Sequence, residues 1–184
     1  MNKLTILVDL DDVLWDLVSP WVAAINKIYG TSVSSRDITD WEIVRFFPSL
    51  TKEQVGAPLF IKGFWDGMQP EAGGQWFIRQ LLEDGHKIKI VTATLCENVP
   101  EKMKRLFELN PMLTWDDVVI TSEKQSIKGD VMIDDAPHNL MGGNWMKILY
   151  SRPHNYKFEA DKNGMFRIET LGEAYTKISA LVNN

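Results

Sequence analysis

Four stretches of this chain bring together side chains able to do chemistry. The run Leu4-Thr5-Ile6-Leu7-Val8 stops on Asp9, Asp11 and Asp12, and Val131-Met132-Ile133 stops on Asp134 and Asp135. Between them Lys87-Ile88-Lys89-Ile90-Val91 ends on Thr92-Ala93-Thr94, and Lys124 follows the apolar Val118-Val119-Ile120. Asp9 and Asp11 are two residues apart, so on an extended chain they point to the same side. Carboxylates that close raise one pKa unless a cation lies between them. Two uses follow: a shared divalent metal, or a nucleophile beside a proton donor. The same letters also suit a plain turn or a helix N-terminus. A hydroxyl such as that of Thr92, backed by the next free amide at Ala93, suits a phosphoryl oxygen, although threonine is also an ordinary strand residue. Oxygen-only ligands with room for water favour Mg²⁺ over a closed calcium cage. His86, His138 and His154 are scattered along the chain and form no ligand pair.

The elements that must position these groups follow from the pattern. Aliphatic runs with little polar alternation suit strands covered on both faces of a parallel sheet, where ligands bind beyond the carboxyl ends. Lys147-Ile148-Leu149-Tyr150 reads as a fifth such strand, and Arg152-Pro153-His154-Asn155-Tyr156 as an exposed loop. After Leu14 a helix is expected, either opened by Ser19 and Pro20 or begun near Val13 with a kink at Pro20, and closed at Gly30. Further helices are expected over Phe77 to Leu82 ending at Gly85, after an Asn98 cap with Met103, Leu106 and Phe107 inward, and after Thr170 with Ala174, Ile178 and Leu181 inward. Strand and helix alternate except between the first strand and Gly73-Gly74, where turn-prone and short helical stretches intervene, among them a capping box at Thr51-Lys52-Glu53-Gln54. The expected architecture is a Rossmann-like three-layer α/β/α core with a central parallel sheet. Residues 1–16 and 70–184 form that core, and residues 17–69 form a small helical cap able to fold over the acids.

Composition narrows the class. The chain has 184 residues, 45% hydrophobic and 24% charged, which suits one buried core with an embellishment. A net charge of -5 offers no basic field for duplex nucleic acid, while a metal and one or two lysines still allow a small anionic substrate. Cys96 is the only cysteine, which excludes an intrachain disulfide and a cysteine zinc site. The first apolar run is cut at Asp9, far below membrane-spanning length, so a cytoplasmic protein is expected. Seven tryptophans are many for this size, and Trp15, Trp21, Trp41, Trp65 and Trp76 lie outside the central strands, as core or as the wall of a pocket for a flat ligand.

Together these residues resemble the haloacid dehalogenase-like phosphohydrolase superfamily. Its Asp-x-Asp-x-Val/Thr motif matches Asp9-Leu10-Asp11-Asp12-Val13, its strand-end Thr or Ser matches Thr92, its lysine matches Lys124 and its acidic pair matches Asp134-Asp135. Length, the insertion, Asp40-Trp41, Phe64-Trp65 and Asp134-Asp135-Ala136-Pro137 are most similar to the 5′(3′)-deoxyribonucleotidases, although Pro70-Glu71-Ala72-Gly73-Gly74 stands where a Pro-Gly turn is expected. The resemblance implies a phosphomonoesterase acting on deoxynucleoside monophosphates through an aspartyl-phosphate. Asp9 would be the nucleophile and Asp11 the acid and base. Mg²⁺ would be held by Asp9, the Asp11 carbonyl and Asp134, with Asp135 in support. Thr92, Ala93 and Lys124 would bind the phosphoryl group, with Lys128 a rival lysine, and Trp41, Phe46, Phe64 and Trp65 would offer stacking surfaces for the base. The alternatives are a phosphatase of sugar phosphates or other small metabolites, and a non-catalytic interaction domain on the same fold.

Overall fold

In the computed structural model, which describes residues 2–182, six parallel strands form one sheet in the order β3-β2-β1-β4-β5-β6. They are β1 Thr5–Val8, β2 Lys87–Thr92, β3 Val118–Ile120, β4 Val131–Asp134, β5 Met146–Tyr150 and β6 Met165–Ile168. β1 lies between β2 and β4, with Val8 opposite Ile90 on one side and Ile133 on the other. Because side chains alternate along a strand, Ile6, Val8, Ile90 and Ile133 face one layer while Leu7, Val91 and Met132 face the other. That alternation explains why both sets are apolar: the sheet is covered twice.

The two covers are unequal. The first consists of α3 (Gly74–Glu83), α4 (Val99–Leu109) and α6 (Leu171–Val182), which bury Phe77, Ile78, Leu81, Met103, Leu106, Ala174 and Ile178. The second is thin, a four-residue α5 (Pro137–Leu140) with Trp145, Phe158 and Ala160. The remaining helices, α1 (Val18–Tyr29) and α2 (Lys52–Gly56), belong to the insertion after β1. There Val22, Ile25, Ile38, Phe47 and Val55 close on one another in an apolar cluster separate from those on the sheet. Each such fully buried side chain contributes about 1.5–3 kcal/mol relative to exposure, enough together to hold a segment rich in short turns. Further along, Trp65 and Met68 leave that cluster and pack into the main core.

Where the insertion departs and returns, the chain runs beside itself. Glu71 N–H donates to Leu14 O at 2.8 Å and Trp15 bridges to Pro70. Arg152 pins both sides: its Nε donates to Asp12 O at 2.6 Å and its guanidinium pairs with Glu71 while lying 4.5 Å from the Tyr150 ring centre.

Several details depart from the sequence reading. α1 begins at Val18, ahead of Ser19 and Pro20, because Asp12 and Asp16 reach forward and accept from the N–H groups of Leu17, Val18 and Ser19. Asn98 precedes α4 but makes no side-chain cap. The loop at Arg152 to Tyr156 is not exposed as a whole, since Asn155 is buried and donates to Asp135 O and Tyr150 O. β6 was not expected; its exposed Phe166 and half-exposed Arg167 give it the look of a loop because it is an edge strand. Leu181 lies exposed in the last turn of α6 rather than inward.

Candidate active site

The floor of the site is made of strand ends. β1 delivers Asp9, β4 delivers Asp134 and Asp135, and a single turn of 3-10 helix, Lys124–Ser126, delivers Lys124. Since Val8 is in register with Ile133, the two acidic strand ends emerge side by side. Lys124, 2% exposed, bridges them: its Nζ lies 2.5 Å from Asp9 Oδ1 and 2.8 Å from Asp134 Oδ2. Asp134 also accepts from Ala136 N–H at 2.8 Å and from Asn139 Nδ2 at 3.1 Å on both oxygens. Lys128, the alternative lysine, is exposed.

This floor is short of positive charge. Burial pushes the Asp9 carboxyl well above its usual range; Lys124 draws it back, and Asp134, Asp135 and Asp11 push it up again. Asp135 is raised in the same way, by burial first and by Asp134 next. Burial works to lower the Lys124 pKa, but Asp9 and Asp134 together outweigh it and hold the ammonium charged. One oxygen each of Asp9, Asp134 and Asp135 lie within 4.8 Å of one another. Asp135 Oδ1 is buried with no hydrogen-bond partner, while its Oδ2 meets His154 Nε2 at 2.7 Å. Burial lowers the His154 pKa, so near neutrality that contact is a hydrogen bond and supplies no charge. A buried carboxylate oxygen left over among three acids fits a cation site, and an all-oxygen set suits a hard divalent ion.

Asp12 completes the turn at the end of β1. It has φ 56°, the one non-glycine residue with positive φ among the described residues. That conformation turns its carboxylate back onto the start of α1. Burial, reinforced by Asp135, raises its pKa to about 7 against the pull of the Val18 amide.

Above the floor is a cavity of about 310 Å³. Asp9, Asp11, Ala93, Lys124 and Asp135 line its base, and the mostly apolar Leu17, Val18, Trp21, Ile38, Trp41 and Ile43 from the insertion, with the carboxylate of Asp40 among them, line its roof. Trp21 has its Nε1 committed to Val55 O at 2.7 Å, so it offers the cavity an apolar ring. Trp41 crosses from roof to core, with its ring edge-on to His138 and His154 at 5.2 and 5.1 Å between centres.

Of the residues singled out in the sequence, Asp9, Asp11, Ala93, Lys124, Asp135 and Trp41 meet in this cavity, and Asp134 lies beneath it. Thr92 is fully buried with its Oγ1 accepting from Lys102 Nζ at 3.0 Å. Phe46, Phe64 and Trp65 are not among the lining residues: Phe46 packs in the insertion's own cluster, and Phe64 and Trp65 pack against the main core. Sequence reasoning missed Asn139, His154, the aliphatic roof and, above all, Lys102. That lysine was detectable, because Val99, Lys102, Met103 and Leu106 follow the spacing of one buried helix face. Its Nζ lies 2.5 Å from Asp11 Oδ2.

The chain is 34% identical over 180 residues to a 5′(3′)-deoxyribonucleotidase of Bacillus subtilis, covering 96% of this chain and 99% of the relative. It is 31% identical over 165 residues to another of that description from Clostridium acetobutylicum, covering 84% and 86%. Among solved structures, a predicted phosphatase from Clostridium acetobutylicum superimposes with a TM-score of 0.68 at 16% identity, over 96% of this chain and 98% of that one. A haloacid dehalogenase family hydrolase from Deinococcus radiodurans, solved with bound phosphate and sodium, gives 0.62 at 16% identity over 96% and 95%. These two show the fold. Residues 2–182 match the family described as 5′ nucleotidase, deoxy (Pyrimidine), cytosolic type C protein, and the chain belongs to that family.

Proposed function

We propose that this chain is a Mg²⁺-dependent phosphomonoesterase that releases phosphate from deoxynucleoside monophosphates. Residues 1–16 and 70–184 act as the catalytic core and residues 17–69 as the cap that receives the nucleoside. The observation that carries the reading is the Lys124 bridge between Asp9 and Asp134 beside the unpartnered Asp135 oxygen, all under a mostly apolar roof.

Asp9 attacks phosphorus with the oxygen that Lys124 does not hold. The P–O bond to the nucleoside breaks, and Asp11 gives its proton to the departing alkoxide. Asp11 then takes a proton from water, whose oxygen attacks the same phosphorus and releases the Asp9 carboxylate with inorganic phosphate. Lys124 and the Ala93 amide hold the phosphoryl oxygens, where fixed positive charge is most effective as negative charge spreads in the transition state. Thr92 supports that loop from beneath. A divalent ion held by Asp9, Asp134 and Asp135, with the Asp11 carbonyl, would neutralise the acids and polarise the phosphoryl group. In the roof, Trp41 and Trp21 offer flat faces to a base, and Val18 and Ile38 offer no partner to a ribose 2′-hydroxyl, which favours a deoxyribose.

A substrate panel tests this. Deoxynucleoside monophosphates should be hydrolysed with higher kcat/KM than ribonucleotides or hexose phosphates, with activity lost in chelator and restored by Mg²⁺. A hexose phosphate at the head of the ranking would overturn the nucleotidase reading, and hydrolysis unaffected by chelator would overturn the metal.

A further inference from the structure

Both oxygens of Asp11 are held by donors that lie outside the cavity. Oδ1 accepts from Trp15 Nε1 at 2.8 Å and Oδ2 from Lys102 Nζ at 2.5 Å. Lys102 is 1% exposed and does not line the cavity, so it does not touch substrate. An ammonium has three donors and no acceptor. Here the partners are Asp11 Oδ2, Thr92 Oγ1 at 3.0 Å and Ala93 O at 3.4 Å. Removing a lysine from water to this degree is unfavourable unless each hydrogen finds an acceptor. The three it finds tie the end of β1 to the end of β2, the proton-transfer group to the phosphate loop. Because Lys102 only donates, Thr92 Oγ1 must accept, and its own proton is directed away from the ammonium. One ring supports both donors: Trp65 lies 5.2 Å from Lys102 Nζ and 6.2 Å from the Trp15 ring.

We propose that Lys102 and Trp15 are positioning residues for proton transfer by Asp11: each donor occupies one lone pair of its oxygen and orients the carboxyl group, leaving a second lone pair for the proton that passes to the leaving oxygen and is then taken from the attacking water. The proposal rests on the acid and base role given to Asp11 above. It has a chemical signature that general damage to the fold lacks. A nucleoside alkoxide is a poor leaving group and needs a proton as the P–O bond breaks, whereas a dinitrophenolate leaves without one. Both substrates form the same aspartyl-phosphate at Asp9, and both need Asp11 as base for its hydrolysis.

The experiment compares a deoxynucleoside monophosphate with 2,4-dinitrophenyl phosphate for wild type, Lys102→Met, Trp15→Phe and Asp11→Asn, each with Mg²⁺. For Lys102→Met, kcat/KM should fall about 30- to 100-fold on the nucleotide, a share of what acid–base catalysis contributes, and less than about 3-fold on the aryl ester. Its kcat on the aryl ester should fall as well, with a burst of dinitrophenolate and phosphorylated Asp9 accumulating. Trp15→Phe keeps an aromatic ring but loses the N–H, and should show the same selectivity at about 5- to 10-fold, the scale of one ordinary hydrogen bond. If Lys102→Met fails to fold, Trp15→Phe decides alone. Equal losses of kcat/KM on both substrates, or none, would overturn the proposal. Asp11→Asn separates the two readings. If it too fails to discriminate between the substrates, the acid role of Asp11 falls; if it discriminates and the Lys102 and Trp15 variants do not, only their positioning role falls.

Discussion

The floor and the roof of the cavity are built by opposite means. The floor is polar, and a few backbone registers position it: Asp9 and Asp134 are neighbours because β1 pairs with β4, and Lys124 reaches both. The roof is apolar apart from Asp40, and the packing of short helices positions it, with Trp41 supported by ring contacts to His138 and His154. Hydrogen bonds and charges fix the floor to within tenths of an ångström. Dispersion and exclusion of water hold the roof, and these tolerate exchange of one side chain for another of similar volume. On the proposed function, chemistry belongs to the floor and selection to the roof, and variants in the two regions should differ in kind, floor variants lowering kcat and roof variants raising KM.

The hardest test of that division is Asp9→Asn, which should lower kcat by at least about 10⁴-fold, as loss of a nucleophile does. Phosphate release under saturating nucleotide measures it, and a variant with more than a few per cent of wild-type activity would remove the floor as the reaction centre. Next is Lys124→Met, expected to cost about 10²- to 10³-fold in kcat, the range for losing one preorganised charge at the transition state. Exposed Lys128→Met should stay within about twofold by the same assay. Reversed effects at the two lysines would mean that the bridge to Asp9 and Asp134 is structural.

Roof substitutions should behave differently. Trp41→Ala removes a stacking face and should raise KM about tenfold for nucleotides while kcat changes less than about threefold. Inhibition by inorganic phosphate, which needs only the floor, should be unchanged. Trp65→Ala provides the contrast, because Trp65 is 3% exposed among Trp15, Phe64 and the core. Its loss should destabilise the fold by about 3–5 kcal/mol, read as a fall in Tm, through the cavity left behind. A Trp65→Ala variant of normal stability with a raised KM would move the base wall to that side of the insertion.

The same division explains what was legible in the sequence. An apolar run ending on acids has few readings once strands are parallel and ligands bind at their carboxyl ends, so Asp9, Asp11, Asp134 and Asp135 could be placed from their letters. Among aromatics the letters are silent: Trp41 and Trp65 have the same type and both lie in the insertion, yet one is exposed at the cavity and the other is core. Their difference arises from tertiary packing of short 3-10 turns, whose boundaries leave little periodic signal. Lys102 was hidden for another reason. A lysine on a helix reads as solvent-facing, and only its place on the Val99, Met103 and Leu106 stripe marks it as buried. β6 escaped because an edge strand needs no apolar outer face.

The smallest effect concerns the charge imbalance of the floor in the absence of metal. Asp9, Asp12 and Asp135 all have pKa values raised in the folded protein, chiefly by burial, with Asp12 at about 7. Between the unfolded value near 3.9 and the raised folded values, these three carboxyls bind more protons in the folded state than in the unfolded one, so their share of stability falls as pH rises through that window and outweighs the opposite share of the single His154, whose pKa is lowered. In chelator, Tm should therefore decline by a few degrees between about pH 5 and pH 8, the scale set by about 1–2 kcal/mol for a domain of this size. Saturating Mg²⁺ should remove the share due to Asp9 and Asp135, whose oxygens cluster with that of Asp134, and leave that of Asp12, which faces the start of α1. Asp12→Asn should then flatten the remaining slope. A Tm that rises with pH in chelator would mean that the floor is not short of positive charge, and a slope indifferent to Mg²⁺ would mean that the ion does not sit among these acids.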